Sequence, residues 1–204
     1  MAEYRLHDPD TIPECTTPQW YAGREHAPHL EQPSHRARIL AAAEAVTKAT
    51  RILGVSSVVD LGAGDGGLLS LLGPDITGWG YDLQPTNVEA ARHRNVDVKL
   101  VDIVTEQITW GDIAVITEVL EHLSDPHGLV AKAAQHSRAL VCSAPCEETP
   151  ESHYEHHIWA WDEIGFAKMI TDGGWRIVNH RIVGATQIVL AIRSSFLRVW
   201  GYIS

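Results

Sequence analysis

The chain has 204 residues, 45% of them hydrophobic and 21% charged, and a formal net charge of −10. That length and balance suit one domain with a single large core and exclude extended disorder. An acidic chain without a basic stripe also argues against a protein that grips long nucleic acid by its phosphates. No apolar run reaches membrane length, and the opening Met1-Ala2-Glu3-Tyr4 carries no leader pattern. The cysteines, Cys15, Cys142 and Cys146, lack the paired spacing of a zinc site. They point to reduced thiols in a soluble, cytoplasmic setting, with Cys142 buried on a strand.

Residues 1–33 are polar, proline-rich and punctuated by aromatic and histidine side chains. They read as an N-terminal cap or lid ahead of a main domain over 34–204, with Trp20, Tyr21, Arg24, His26 and His29 as candidates for substrate contact. Ser34 is the expected N-cap of a helix running to Arg51, with Ile39, Leu40, Ala43 and Val46 at helical spacing. Strands are expected near 57–61, 76–82, 96–101, 112–117, 138–144, 175–183 and 186–192, and helices near 67–72, 85–93, 124–135 and 161–172. This alternation predicts an α/β, Rossmann-like fold: a seven-stranded, mostly parallel sheet with helices on both faces. The short turn at Gly184-Ala185 makes the last strand antiparallel. The tail over 196–204, with Trp200 and Tyr202, is too apolar to float freely. It is expected to pack on the domain or to pair with a second subunit, giving a homodimer.

Between the first two strands, VVDLGAGDGG over 58–67 reads as a buried strand that breaks into a glycine loop and then a helix. Gly62, Gly64 and Gly66 remove Cβ atoms where the backbone must turn and approach a ligand. The following helix would present free N–H groups and a positive dipole end to the crevice. Asp60 lies at the carboxyl end of its strand, where open α/β sheets bind ligands. Asp82, about 20 residues past the loop and at the tip of the next strand, is placed to accept hydrogen bonds from ribose hydroxyls. Asp102-Ile103 ends the third strand with a carboxylate and an apolar side chain, suited to an adenine edge and face. A tight turn made only for structure is the plain alternative. A nicotinamide-type site is the other, but here a further glycine, Gly66, already stands after Gly64, and such a site expects a longer βαβ series that returns to a second half.

The ordered series VVDLGAGDG, YDLQP, VDI and ITEVLEHLSDP resembles the class I S-adenosylmethionine-dependent methyltransferases over roughly 55–193. The resemblance implies seven strands with a closing hairpin and S-adenosyl-L-methionine as cofactor. Asp60 with Gly62, Ala63 and Gly64 would face its methionine part, Asp82 and Leu83 the ribose, and Asp102 with Ile103 the adenine. Glu118 would stand beside them. The implied reaction is methylation of an oxygen or nitrogen atom of a small-molecule acceptor.

Glu118-x-x-Glu121-His122 and the later His157 supply two carboxylates and two imidazoles, a donor set suited to Mg²⁺ or Mn²⁺. Followed by Trp159-Ala160-Trp161, this layout resembles the small-RNA 3′-terminal 2′-O-methyltransferases, which implies Glu118, Glu121, His122 and His157 as metal ligands and a nucleic-acid end as acceptor. The same E-V-L-E-H-L-x-D-P string is similar to that of metal-free ubiquinone-pathway O-methyltransferases. In that setting Glu118 and His122 shape the pocket, and His122 or His157 is the base, so the catalytic candidates are Glu118, His122 and His157. A methyltransferase fold that binds cofactor without turnover is the non-enzyme alternative. Ser143-Ala144-Pro145-Cys146 should border the acceptor pocket, and 147–151 reads as a mobile loop.

Overall fold

The computed structural model describes residues 3–7, 17–26 and 28–193. Cys15 and the apolar tail over 196–204 lie outside them. In chain order the elements are β1 (Glu3–Arg5), α1 (Pro18–Ala22), α2 (Pro33–Leu53), β2 (Ser57–Leu61), β3 (Thr77–Asp82), α3 (Pro85–His93), β4 (Val98–Leu100), β5 (Ile113–Thr117), α4 (Pro126–His136), β6 (Ala139–Pro145), β7 (Trp159–Trp161), α5 (Glu163–Asp172), β8 (Trp175–Val183) and β9 (Thr186–Arg193).

Seven of the strands form one sheet in the order β4-β3-β2-β5-β6-β9-β8. Its pairs are parallel from β4 to β6, and β9 runs antiparallel to both of its neighbours. Alternate residues along the strands enter opposite layers, as the pleat requires. Val59, Leu61, Ala114, Ile116, Leu140 and Cys142 pack with Leu129, Val130, Phe166 and Met169 of α4 and α5. Val58, Ile113, Val115 and Val141 pack with Ile39, Val46 and Ala49 of α2 and Val88 of α3. Burial on both faces explains why the central strands read as near-continuous apolar runs. Among the described residues no helix is long and apolar enough to cross a membrane.

Three local expectations are corrected. The helix expected over 67–72 is a single 3₁₀ turn, Leu69–Leu71. Gly66 at φ 72° occupies the left-handed region just before it, which leaves too few residues to nucleate an α-helix. The macrodipole expected at the glycine loop is therefore missing, and the N–H groups of Gly62, Ala63, Gly64, Gly66 and Gly67 are spent on bonds within the protein. Helix α2 begins at Pro33, one residue before Ser34, with Gln32 as an N-cap that makes no side-chain bond. The third correction is an addition: β1 pairs antiparallel with β7. Trp161 Nε1 donates to Glu3 Oε2 at 2.8 Å and Trp159 Nε1 to the Leu123 carbonyl at 3.0 Å. The two tryptophans therefore secure this small sheet.

Gly111, just before β5, sets how closely that strand can approach β2. A Cβ there would stand 2.9 Å from Val59 N, 3.1 Å from Ser57 O and 3.1 Å from Val58 C. All three are backbone atoms of a central strand and cannot yield. Gly111→Ala is expected to destabilise the fold by about 1–3 kcal/mol. Urea unfolding should show a lower midpoint at unchanged slope; an unchanged midpoint would refute the packing argument.

Candidate active site

The chain leaves β2 toward β3 on one side and reaches β5 on the other, so a crevice opens at their carboxyl ends. A cavity of about 950 Å³ fills it, enough for a nucleoside-bearing cofactor and a small acceptor together. Asp60, Gly62, Ala63, Gly64, Asp82, Leu83, Asp102, Ile103, Glu118, Glu121, His122 and His157 all line it. The sequence candidates therefore converge on one space.

Hydrogen bonds fasten the glycine loop to β3. Gly62 N and Ala63 N both donate to the Tyr81 carbonyl, at 2.8 and 2.9 Å. Gly80 permits this close approach, because a Cβ there would come within 2.4 Å of the Ala63 Cβ. Asp82 accepts from Gly64 N at 2.8 Å, Gln84 N at 2.8 Å and Asn87 Nδ2 at 3.4 Å. Burial nevertheless holds its carboxyl above the ordinary range, against the pull of those bonds. Asp60 is 1% exposed, and its Oδ1 has no hydrogen-bond partner. Burial first, and the neighbouring Asp82 second, push its carboxyl up to about 7. Asp102 is already engaged in its own turn, accepting from Val104 N at 2.9 Å and Thr105 Oγ1 at 2.8 Å. Ile103 beside it is buried against the cavity.

The acidic motif after β5 is split by the geometry. Glu118 adopts φ 55°, a left-handed conformation that costs a non-glycine residue about 1–3 kcal/mol and persists only where its surroundings enforce it. Ser143 enforces it here: Glu118 N donates to its carbonyl at 3.2 Å, and Ser143 Oγ donates to Glu118 Oε1 at 2.8 Å. Glu118 Oε2 faces Arg38 Nε at 3.9 Å. Glu118 is thus engaged by Ser143 and Arg38 in this geometry. Glu121, His122 and His157 do converge, with one ligand atom from each lying within 4.8 Å of the others. Glu121 is 1% exposed and its Oε2 is unpartnered. Its carboxyl is held well above the ordinary range, mainly by burial and then by the Glu118 charge. Burial also lowers His122 to about 4, with His157 the next cause, so His122 is neutral at physiological pH.

Residues of the N-terminal segment close the cavity from above. Tyr21, Arg24, Glu25 and His29 line it. Gln84 Nε2 donates to the Glu25 carbonyl at 2.8 Å and Thr86 Oγ1 to the Arg24 carbonyl at 3.1 Å. His26 Nε2 lies 3.3 Å from Asp65 Oδ2, which Arg94 also approaches at 2.9 Å. Trp20 packs edge-on against Tyr21 and His156, outside the cavity lining. Cys146 is half-buried, and its thiol is raised by burial and by Glu147, so it is poorly suited to act as a nucleophile.

Arg38 and Glu148 are among the residues at the site that the sequence reading did not single out. Arg38 lines the cavity with His35 and Ile39. Their i, i+3, i+4 spacing, a cation set within the apolar stripe of α2, was a usable signal. Glu148 carries no periodic mark. Its Oε2 lies 2.6 Å from His157 Nδ1, and its Oε1 accepts from Tyr154 N at 2.9 Å. The stretch read as a mobile loop folds back on itself, with Thr149 and Ser152 exchanging backbone hydrogen bonds at 3.0 and 3.1 Å.

A methyltransferase-domain family model matches residues 32–176. No curated protein matches the chain in sequence. Among solved structures, the N-methyltransferase NodS from Bradyrhizobium japonicum WM9, in complex with S-adenosyl-L-homocysteine, is similar at TM-score 0.67 and 16% identity, over 87% of this chain and 96% of its own. Magnesium protoporphyrin IX methyltransferase from Synechocystis PCC 6803, with the same product bound, gives TM-score 0.65 and 15% identity over 86% of this chain and 92% of its own. The mitomycin 7-O-methyltransferase MmcR gives TM-score 0.58 and 19% identity, over 76% of this chain and 54% of its own. A family model spanning more than half of the sequence, around a glycine loop and crevice of this form, places the chain in the methyltransferase-domain family.

Proposed function

We propose that the protein is an S-adenosyl-L-methionine-dependent methyltransferase acting on an oxygen or nitrogen atom of a small molecule. The observation that carries this reading is the continuous cavity, which runs from the Asp60, Asp82 and glycine-loop end to the His122 and His157 end. Asp60 with Gly62, Ala63 and Gly64 would hold the cofactor's amino-acid part. Asp82 and Leu83 would hold the ribose, and Ile103 with Asp102 the adenine. The unpartnered Asp60 Oδ1 fits the cationic amino group of that cofactor. When bound, the cofactor supplies an electrophilic methyl group. The chain's part is to align the acceptor and to receive its proton. Tyr21 and Arg24 would cover the acceptor, and Glu118 would brace the wall through Ser143 and Arg38.

A divalent-cation reading is favoured by one specific observation, the unpartnered Glu121 Oε2 beside His122 and His157. Mg²⁺ or Mn²⁺ held by these three would lower the pKa of an acceptor hydroxyl. Calorimetric titration of S-adenosylhomocysteine into metal-free protein, repeated with Mn²⁺, tests both readings. Binding without metal is expected, and no binding under either condition would refute the methyltransferase reading. A stoichiometric Mn²⁺ event that disappears in His157→Ala, with cofactor affinity unchanged, would move the cation reading into first place.

A further inference from the structure

We propose that Glu148 is a positioning residue: together with the His156 carbonyl it fixes His157 and His122 in one tautomer each, so that both rings offer an Nε2 lone pair to the acceptor. The inference rests on the metal-free form of the methyltransferase reading.

A backbone carbonyl can only accept, so the 3.1 Å contact between His122 Nδ1 and the His156 carbonyl requires a proton on that nitrogen. A carboxylate likewise only accepts, so the 2.6 Å contact between Glu148 Oε2 and His157 Nδ1 requires a proton there. Burial alone would raise the Glu148 carboxyl. The bonds from His157 and Tyr154 N, and the nearby His157 and His153, outweigh it and hold Glu148 below the ordinary range, in its ionised form. Both Nδ1 positions are then occupied, and Nε2 is the remaining acceptor of each ring. The rings meet edge to face with centroids 4.7 Å apart, and both line the cavity.

Two adjacent lone pairs select an acceptor that can donate, a hydroxyl or an amine N–H, and repel a carboxylate. The acceptor's X–H bond would break toward His157 Nε2, where the new N–H bond forms, and its electron pair would stay on X for the methyl carbon. Glu148, bonded to the far side of the ring, would balance the positive charge left on the imidazole. A carboxylate that orients a base through its other nitrogen is a recurring catalytic arrangement.

The test is ¹⁵N NMR of histidine-labelled protein loaded with S-adenosylhomocysteine. In the wild type, His157 and His122 should both show a protonated Nδ1 and an unprotonated Nε2. Glu148→Gln offers its amide N–H₂ or its single carbonyl, and Tyr154 N keeps the carbonyl. His157 is therefore expected to switch to the Nε2–H tautomer while His122 keeps its own. Glu148→Asp should retain a measurable Nδ1–H population. A wild-type His157 already protonated at Nε2 would overturn the proposal, even if the variants fail to fold. So would a Glu148→Gln spectrum identical to the wild type. Loss of S-adenosylhomocysteine binding in the wild type would instead remove the methyltransferase reading, leaving the tautomers measurable on the free protein.

Discussion

Replacing Asp82 by alanine is expected to weaken S-adenosylhomocysteine binding by about 1.5–3 kcal/mol, the range for hydrogen bonds to a charged group. The carboxylate would act twice. It would accept from the ribose hydroxyls, and it already accepts from Gly64 N and Gln84 N, tying the glycine loop to the start of α3. Alanine removes the first contact and leaves two loop N–H groups without their acceptor. Asp82→Asn keeps an acceptor oxygen of similar shape and should lose less. Stability should fall less than affinity, because burial holds this carboxyl above the ordinary range and its removal relieves that cost. Calorimetry of wild type and both variants checks the order; equal affinities in all three would remove Asp82 from the cofactor site.

The parts legible in the sequence are those fixed by short-range chemistry. Strand β2 and its loop were readable because burial on both faces demands an unbroken apolar run, and a sharp turn near a ligand demands glycine. Asp60 and Asp82 stood at strand ends, where the topology collects functional groups, and both reach the same cavity. What escaped depends on contacts distant in sequence or on a competition that composition does not reveal. The pairing of β1 with β7 joins Glu3 to Trp161, and nothing in either tripeptide announces the other. The apolar run 67–72 has helix-forming residues, but the left-handed Gly66 before it leaves room for only one tight turn. Glu118 reads as a ligand beside Glu121. Its left-handed backbone and its bond to Ser143, 25 residues on, are not readable from that motif. Glu148 is the clearest case: an acid in an apparently featureless loop becomes the partner of His157 only once the loop folds back.

Asp60→Asn is expected to stabilise the ligand-free protein, and to do so increasingly as pH rises. In the unfolded chain an aspartate ionises near 3.9, whereas burial and Asp82 push the folded Asp60 up to about 7. Between those values the folded state holds a proton that the unfolded chain has released. Stability from this group is therefore complete below the ordinary carboxylate range and is lost as pH rises through about 7. Asparagine keeps the shape and never ionises. Its advantage over aspartate should grow by about 2–3 kcal/mol between roughly pH 5 and pH 8, read as the difference between two urea-unfolding series. Comparing the variant with the wild type cancels the opposite trend from His29 and His122. Burial depresses both to about 4, so they withdraw stability as pH falls below their ordinary value. The same buried proton links pH to ligand binding. A cationic amino group placed against the unpartnered Asp60 Oδ1 favours the ionised carboxylate, so binding below about pH 7 should expel a proton. Affinity for S-adenosylhomocysteine should then rise with pH, by at most about tenfold per unit, and level off above the Asp60 value. Calorimetry in two buffers of different ionisation enthalpy counts that proton directly. Release in the wild type and none in Asp60→Asn would place the amino group beside this carboxylate; equal proton counts in both would place it elsewhere in the cavity.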